Sequence, residues 1–389
     1  MLESMKKVDK KLLAMMGFII AVILIIIVLI VVVSLSTGGK LSFEKIESKL
    51  ETAAEKYFKD NENDLPKKIG QTAKVDSDEL VSEGYINDLS EYTDEDVTCT
   101  AEVIVGKTVE GYDYVASLDC DEEYKTEFLA DKLIAEDLGK DLYKMEDVVI
   151  PGETLGMDED GYDLSSNELM TGYIYRGENP DNYVKIGKTT FRIVKIDGNK
   201  DLTLVSTLNK PKSAYDDRYN NEIEKNYGIN DYKVSRAYEK VADYFENKEK
   251  SDLIKEKIAA KNICIGARSE DETATDGSVE CSVVMKDQIY GLLPLYDILN
   301  ASLDENCETA SNRECANYNY LMPKQTTYWT LTPSTENSYT AYKISTSSNP
   351  PILLSKTNSS STMKFVYFLS NRVVFESGTG TENDPYIIK

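Results

Sequence analysis

The chain has 389 residues, of which 44 are basic and 68 acidic, with no histidine and a formal net charge of −24. So negative a field repels nucleic acid and anionic headgroups, which argues against nucleic-acid partners. The missing imidazole removes Ser-His-Asp triads, Cys-His nucleophiles and histidine-ligated zinc hydrolases together.

The first eleven residues carry Lys6, Lys7, Lys10 and Lys11, and residues 12–35 are apolar apart from Gly17 and Ser34. At 1.5 Å per residue that stretch reaches roughly 36 Å as a helix, enough to cross a hydrocarbon core of about 30 Å. It exceeds the apolar region of a cleaved signal peptide, about 7–15 residues. The lysines keep the head, 1–11, in the cytoplasm. The expectation is a single-pass cell-membrane protein with a transmembrane helix at 12–36 and its bulk outside the cytoplasm.

Past a Ser-Thr-Gly-Gly hinge, Phe43, Ile46, Leu50, Ala53, Ala54, Tyr57 and Phe58 recur at helical spacing, which predicts an amphipathic helix ending before Pro66. A shorter helix is expected from Asp76 to Gly84, with Glu79 at capping-box spacing. All six cysteines, Cys99, Cys120, Cys264, Cys281, Cys307 and Cys315, follow the apolar segment. An even count in an oxidising compartment predicts disulfides, and sequence order favours neighbours: 99 with 120, 264 with 281, 307 with 315. Fifteen connectivities are formally open; a zinc site lacks both Cys-x-x-Cys spacing and histidine. If Cys99 faces Cys120 in a hairpin, then Ala101, Val103 and Val105 share a face with Leu118, Ala116 and Tyr114, and the turn falls near 108–111. A helix at about 122–138 completes a membrane-proximal α+β domain, 41–139.

Residues 140–171 read as an acidic linker. The run at 158–163 is rich in carboxylates but lacks the alternation of an EF-hand loop, so a solvated linker is preferred over a calcium site. No cofactor is expected. The distal domain, 172–389, opens with strands at 183–186, 191–196 and 202–205, separated by Gly187-Lys188 and Asp197-Gly198. Val234, Ala237, Tyr238, Val241, Ala242 and Phe245 predict a helix, with another at 251–260. An apolar stretch at 289–293 leads into a helix near 295–303. Late strands are expected at 329–331, 341–344, 365–369 and 373–375. Strands, then helices, then strands predict the α+β class rather than a doubly wound sheet.

Several of these residues form a pattern. Tyr175-Arg176-Gly177-Glu178-Asn179-Pro180-Asp181-Asn182-Tyr183-Val184, then Phe191-Arg192-Ile193-Val194-Lys195-Ile196, then Trp329-Thr330-Leu331-Thr332-Pro333, and finally Gly378, Gly380, Pro385 and Tyr386 resemble an extracytoplasmic domain of low-GC Gram-positive bacteria. Members usually carry tryptophan at the place of Phe191, and an Arg-Pro where Lys364-Phe365 stands here. The resemblance implies a single-pass surface protein with a distal domain similar to C-type-lectin-like folds, and structural roles for Arg176, Gly177, Asn179, Pro180, Phe191, Arg192, Trp329, Gly378, Gly380 and Pro385. It brings no assigned activity.

Catalytic candidates are few. Ser-x-x-Lys occurs at Ser42–Lys45 and Ser361–Lys364, without convincing Ser-Asp-Asn or Lys-Thr-Gly companions. Asn179-Pro180-Asp181 is not the tripeptide of a calcium-dependent lectin and reads as a turn. With no catalytic constellation in view, the reading leans away from an enzyme and towards recognition of a protein or glycan at the cell surface. The alternatives are a structural part of an envelope or pilus-like assembly, packing laterally through 43–58, and a carboxylate-dependent cell-envelope enzyme with two facing acids. The 26 tyrosines could supply stacking surfaces, although most are expected in the core.

Overall fold

The computed structural model describes residues 40–145, 172–208, 210–313 and 319–389. The expected span at 12–36 and the acidic run at 158–163 lie outside the described residues. Among the described residues no helix is long and apolar enough to cross a membrane. The class is α+β, with sheets predominating. Contacts divide the chain into two units, each discontinuous in sequence. The first comprises Met1–Asp64, Lys74–Ile104 and Tyr114–Thr126; the second comprises Leu65–Ala73, Val105–Asp113 and Glu127–Lys389.

In the first unit, helix α1 (Phe43–Asp60) buries Ile46, Leu50, Ala53, Ala54, Tyr57 and Phe58, the face its spacing predicts. Glu44 in the first turn and Lys59 in the last suit the helix dipole. Glu47 is also buried, which a carboxylate tolerates only with partners. It accepts from the Tyr124 hydroxyl (2.8 Å) and Thr126 Oγ1 (2.5 Å). The apolar stripe of α1 is thus buried, and the Phe43 ring stacks on Tyr124 at 4.7 Å.

Strand β1 (Thr72–Asp76) runs into α2 (Ser77–Ser82). Asp76 takes the N-cap position, but its side chain makes no capping bond. Glu79 instead accepts from the Tyr57 hydroxyl at 2.7 Å, so the expected capping box gives way to a tertiary contact. That bond, with burial behind it, pushes the Tyr57 phenol up to about 12. Strands β2 (Thr100–Lys107), β3 (Tyr112–Cys120) and β4 (Tyr124–Lys125) complete a sheet ordered β1-β2-β3-β4. Cys99 is bonded to Cys120 with the Cα atoms 4.1 Å apart. Val103, Val105, Ala116 and Leu118 are buried, and the turn spans 108–111, where Thr108 Oγ1 accepts the Gly111 N–H at 3.1 Å. The helix expected from 122 starts only at Leu129, because the Thr126 N–H bonds Leu118 O and holds 124–126 beside β3.

The second unit includes α3 (Leu129–Asp137), β5 (Leu142–Lys144) and β6 (Gly172–Tyr175), so part of the stretch read as linker is a strand, which buries Leu142. Strands β7 (Tyr183–Ile186), β8 (Thr189–Asp197) and β9 (Leu202–Ser206) follow. The β7–β8 connection is the expected two-residue turn, with Gly187 at φ +60°. The β8–β9 connection is longer than expected: Asp197 Oδ1 accepts the N–H groups of Asn199 and Asp201, both at 2.9 Å, and Lys200, not Gly198, takes positive φ. A side-chain acceptor has organised the turn in place of glycine.

Then come β10 (Lys210–Ala214), α4 (Arg236–Lys248), α5 (Asp252–Glu256), β11 (Lys261–Cys264), β12 (Val284–Gln288), β13 (Tyr290–Leu292) and α6 (Leu295–Asn300). Helix α4 begins after Ser235, whose Oγ accepts the Tyr238 N–H at 3.1 Å. Val234 precedes that cap in a 3₁₀ turn and is 46% exposed, so it does not share the helix's apolar face. Helix α5 stops well short of 260; the Ala259 N–H already bonds Phe368 O at 2.8 Å. The last strands are β14 (Thr327–Pro333), β15 (Thr340–Ser345), β16 (Ile352–Lys356), β17 (Ser360–Met363), β18 (Phe365–Leu369), β19 (Phe375–Ser377) and β20 (Tyr386–Ile388).

They form a nine-stranded sheet, ordered β13-β18-β9-β8-β7-β20-β19 with β6 beside β8 and β5 beside β6, and a five-stranded sheet, β10-β17-β14-β15-β16. Pairing is antiparallel except for β20 with β7 and β14 with β17. One cluster of apolar residues runs from Leu129 to Ile388, with Trp329 fully buried in it. The Trp329 ring lies edge-on to Tyr215 at 5.6 Å and its Nε1 donates to Ser213 O. It is a core anchor.

Candidate functional site

The residues that carried the resemblance mostly hold backbone together. Arg192, 8% exposed, donates from Nε to Asn182 Oδ1 (2.5 Å) and from Nη2 to Pro180 O (2.9 Å). Asn182 Nδ2 returns a bond to Ile193 O at 2.6 Å. The guanidinium lies between the rings of Tyr183 and Tyr320, at 3.9 and 4.8 Å. Gly380 has φ +76°, and a Cβ there would stand 2.4 Å from the Tyr386 ring and 2.5 Å from Asp181 O. Gly378 meets Pro385 O as closely. Gly177 exchanges backbone bonds with Ala301 and Tyr320, and Arg176 Nη2 donates to Ser302 O. Phe191 is core and Asn179 is exposed on its turn. The set thus gathers around β7, β8 and β20, while Trp329 lies apart on β14.

Neither Ser-x-x-Lys is assembled for catalysis. Ser42 is the N-cap of α1 and accepts the Lys45 N–H through its carbonyl. Ser361 lies on β17, where three positions along an extended strand place side chains on opposite faces. Its Oγ is sealed without a partner. Cys264 is bonded to Cys281. Cys307 is also held in a disulfide, and its expected partner Cys315 lies outside the described residues. No group of acids and cysteines suited to a metal ion occurs among the described residues.

Facing carboxylates occur beside a small cavity of about 40 Å³, room for a water or two. Asp297 is paired with Lys195 at 2.9 Å, and Asp197 with Lys261, which also reaches Asp201 at 3.1 Å. Burial alone would strip the Lys195 proton, but Asp297 and the Tyr296 hydroxyl outweigh it and hold the amine well above its ordinary range. Each acid is committed to a lysine, so the site is an ion-paired network with no space for a sugar ring.

A wider opening, about 340 Å³, lies elsewhere in the second unit. Tyr238 comes from α4, Ala260 from the segment before β11, Asp287 and Gln288 from the end of β12, Ile289 and Tyr290 from the start of β13, and Lys68 and Ile69 from the segment Leu65–Ala73. The last segment is held close: a Cβ on Gly70 would stand 2.6 Å from the Ala260 nitrogen. The Tyr238 hydroxyl donates to Gln288 Oε1 at 2.9 Å, leaving the amide nitrogen a second role at Lys286 O. The Tyr238 and Tyr290 rings are 6.0 Å apart and inclined at 40°. Burial and Tyr238 raise the Tyr290 phenol well above its ordinary range, keeping it a neutral donor at physiological pH. Asp287 holds φ +55°, its N–H bonds Asn262 Oδ1 at 3.2 Å, and its exposed carboxylate and Lys68 are the charged groups that line the opening. Aromatic walls with an amide, a carboxylate and an ammonium at the edge suit a polar ligand that also has apolar faces. None of these residues was singled out from sequence as a site residue: Tyr238 was placed on the apolar face of a helix and 289–290 in an apolar stretch, and the tyrosine content was the only hint of a binding surface.

No protein-family model, curated protein or solved structure matches the chain.

Proposed function

We propose that the chain is a single-pass, extracytoplasmic surface protein of the kind it resembles, whose distal domain, similar to C-type-lectin-like folds, binds a glycan of the cell envelope or of a host surface. The observation that carries this reading is the cleft of Tyr238, Gln288, Asp287 and Tyr290. Its volume falls within the range of about 300–1,000 Å³ typical of small-ligand sites, and the partly exposed Tyr238 ring can stack on the C–H face of a sugar. The amide and the carboxylate can bond hydroxyl groups. Orientation outside the membrane rests on the lysine-rich head and the apolar run of the sequence.

The test is retention of the detergent-purified full chain on immobilised cell-wall glycans and on a panel of host glycans. Wild type is expected to bind at least one. Tyr238→Ala should weaken that binding about tenfold or more, the loss of one aromatic contact of about 1.4 kcal/mol. Retention unchanged by Tyr238→Ala and Tyr290→Ala, or no glycan retained at all, overturns the reading.

A further inference from the structure

Lys364 occupies the junction where the chain leaves β17 of one sheet and enters β18 of the other. It is 6% exposed, yet among the described residues no carboxylate or hydrogen-bond acceptor meets its Nζ, which lies over the Tyr328 ring, 5.1 Å from the centroid. The neighbouring charge is another cation. Arg192, also buried, gives its hydrogen bonds to neutral acceptors, Asn182 Oδ1, Pro180 O and Tyr183, and its one acidic neighbour, Glu382, is on an exposed turn. Burial and the Arg192 charge push the Lys364 amine down to about 8, so at neutral pH it still carries a proton. Two buried positive charges without a buried anion are a costly arrangement, and one that a molecule with so large an excess of acids had ample means to neutralise. Lys364 Nζ is not among the described side-chain atoms both sealed from solvent and unpartnered, so with no acceptor at hand the ammonium keeps some contact with solvent.

From this geometry we propose that Lys364, with Arg192 behind it, is a binding site for a small oxyanion, a carboxylate or a phosphate. The ammonium meets the anion directly and the Tyr328 ring forms one wall. The guanidinium, tied by its hydrogen bonds and packed against the Tyr183 and Tyr320 rings, is a positioning charge: it adds field without moving. This site is independent of the tyrosine cleft.

The test is thermal unfolding of the full chain in neutral detergent, in chloride, acetate or inorganic phosphate at matched ionic strength and pH 7. Wild type is expected to gain about 3 °C or more in one of the oxyanions relative to chloride. Lys364→Met should abolish that gain, Lys364→Arg should retain it, and Tyr238→Ala should leave it untouched. Response to acetate alone marks a carboxylate site, and response to phosphate alone a phosphate site. In wild type selectively labelled at lysine, the saturating anion should also move the Lys364 titration up from about 8 towards the ordinary lysine range. The absence of any oxyanion-specific gain in wild type, or an equal gain in Lys364→Met, overturns the proposal. If Lys364→Met fails to fold, Lys364→Gln replaces it.

Discussion

The pair Arg268–Glu280 allows the fold's energetics to be tested sharply. Both side chains are 0% exposed; Arg268 Nη1 lies 3.2 and 3.3 Å from the two carboxylate oxygens, and Nη2 donates to Glu272 O. Arg268 Nε has no partner, so the pair is incompletely satisfied. Burial pushes the Glu280 carboxyl up to about 7 from its ordinary 4.5, against the pull of the guanidinium. The two partners therefore differ in how they respond to loss of the other. Glu280→Leu leaves a guanidinium that cannot shed its charge, and should cost about 3–5 kcal/mol at pH 5, and less at pH 8, where wild type has already lost the stability linked to the Glu280 proton. Arg268→Met leaves a carboxyl that can take up a proton, and should cost only about 2 kcal/mol. Substituting both should cost less than the sum of the single changes. The pH dependence has a definite sign: a folded-state value raised above the unfolded one gives stability that is complete below about 4.5 and is lost as pH rises through about 7. The shift corresponds to about 3 kcal/mol over that window, absent from Glu280→Gln. Urea unfolding at pH 5 and pH 8, with unchanged m-values, measures both effects. At pH 5, a larger cost for Arg268→Met than for Glu280→Leu, or a Glu280-dependent slope of opposite sign, would refute the reasoning.

Two further outcomes are expected. Replacing Cys264 and Cys281 together by serine opens a loop spanning 17 positions and should cost about 3 kcal/mol, read as a lower calorimetric transition; an unchanged transition would show that the reduced chain keeps the loop closed by other means. Gly380→Ala should destabilise by about 2 kcal/mol or more, since it combines positive φ with contacts below 3 Å to the Tyr386 ring and Asp181 O, whereas Gly111→Ala, with open space around it, serves as the control in the same urea series.

What could be read from the sequence follows from where local chemistry decides local structure. The hairpin 99–120 was legible because alternation and two cysteines fix one register, and a slip by one residue would turn its valines to solvent. Strands β7 and β8 were legible from Gly187-Lys188, and α4 from Ala237, Val241 and Phe245. The turn after β8 was misjudged because a carboxylate, Asp197, organised it in place of Gly198. Strands such as β17, with the sequence Ser-Ser-Thr-Met, have no alternation to read and exist only because β10 and β14 flank them. The cleft was invisible for a related reason. Lys68 and Tyr290 are separated by more than half the chain, and nothing local marks Tyr238 as a wall and Tyr232, six positions earlier, as core. Burial of Lys364 is likewise a tertiary fact, since a lysine ordinarily reads as surface.

The parallel insertion of β20 beside β7 has a consequence for biogenesis. Residues 183–186 emerge from the ribosome about 200 positions ahead of 386–388, an interval on the order of 10–40 s at typical elongation rates. During that time β7 has β8 on one side and bare amide and carbonyl groups on the other, an invitation to pair with a stranger. The distal sheet can close only after nearly everything else has been threaded out, so a folding helper that shields strand edges should matter more to this protein's yield than one that accelerates proline or disulfide chemistry.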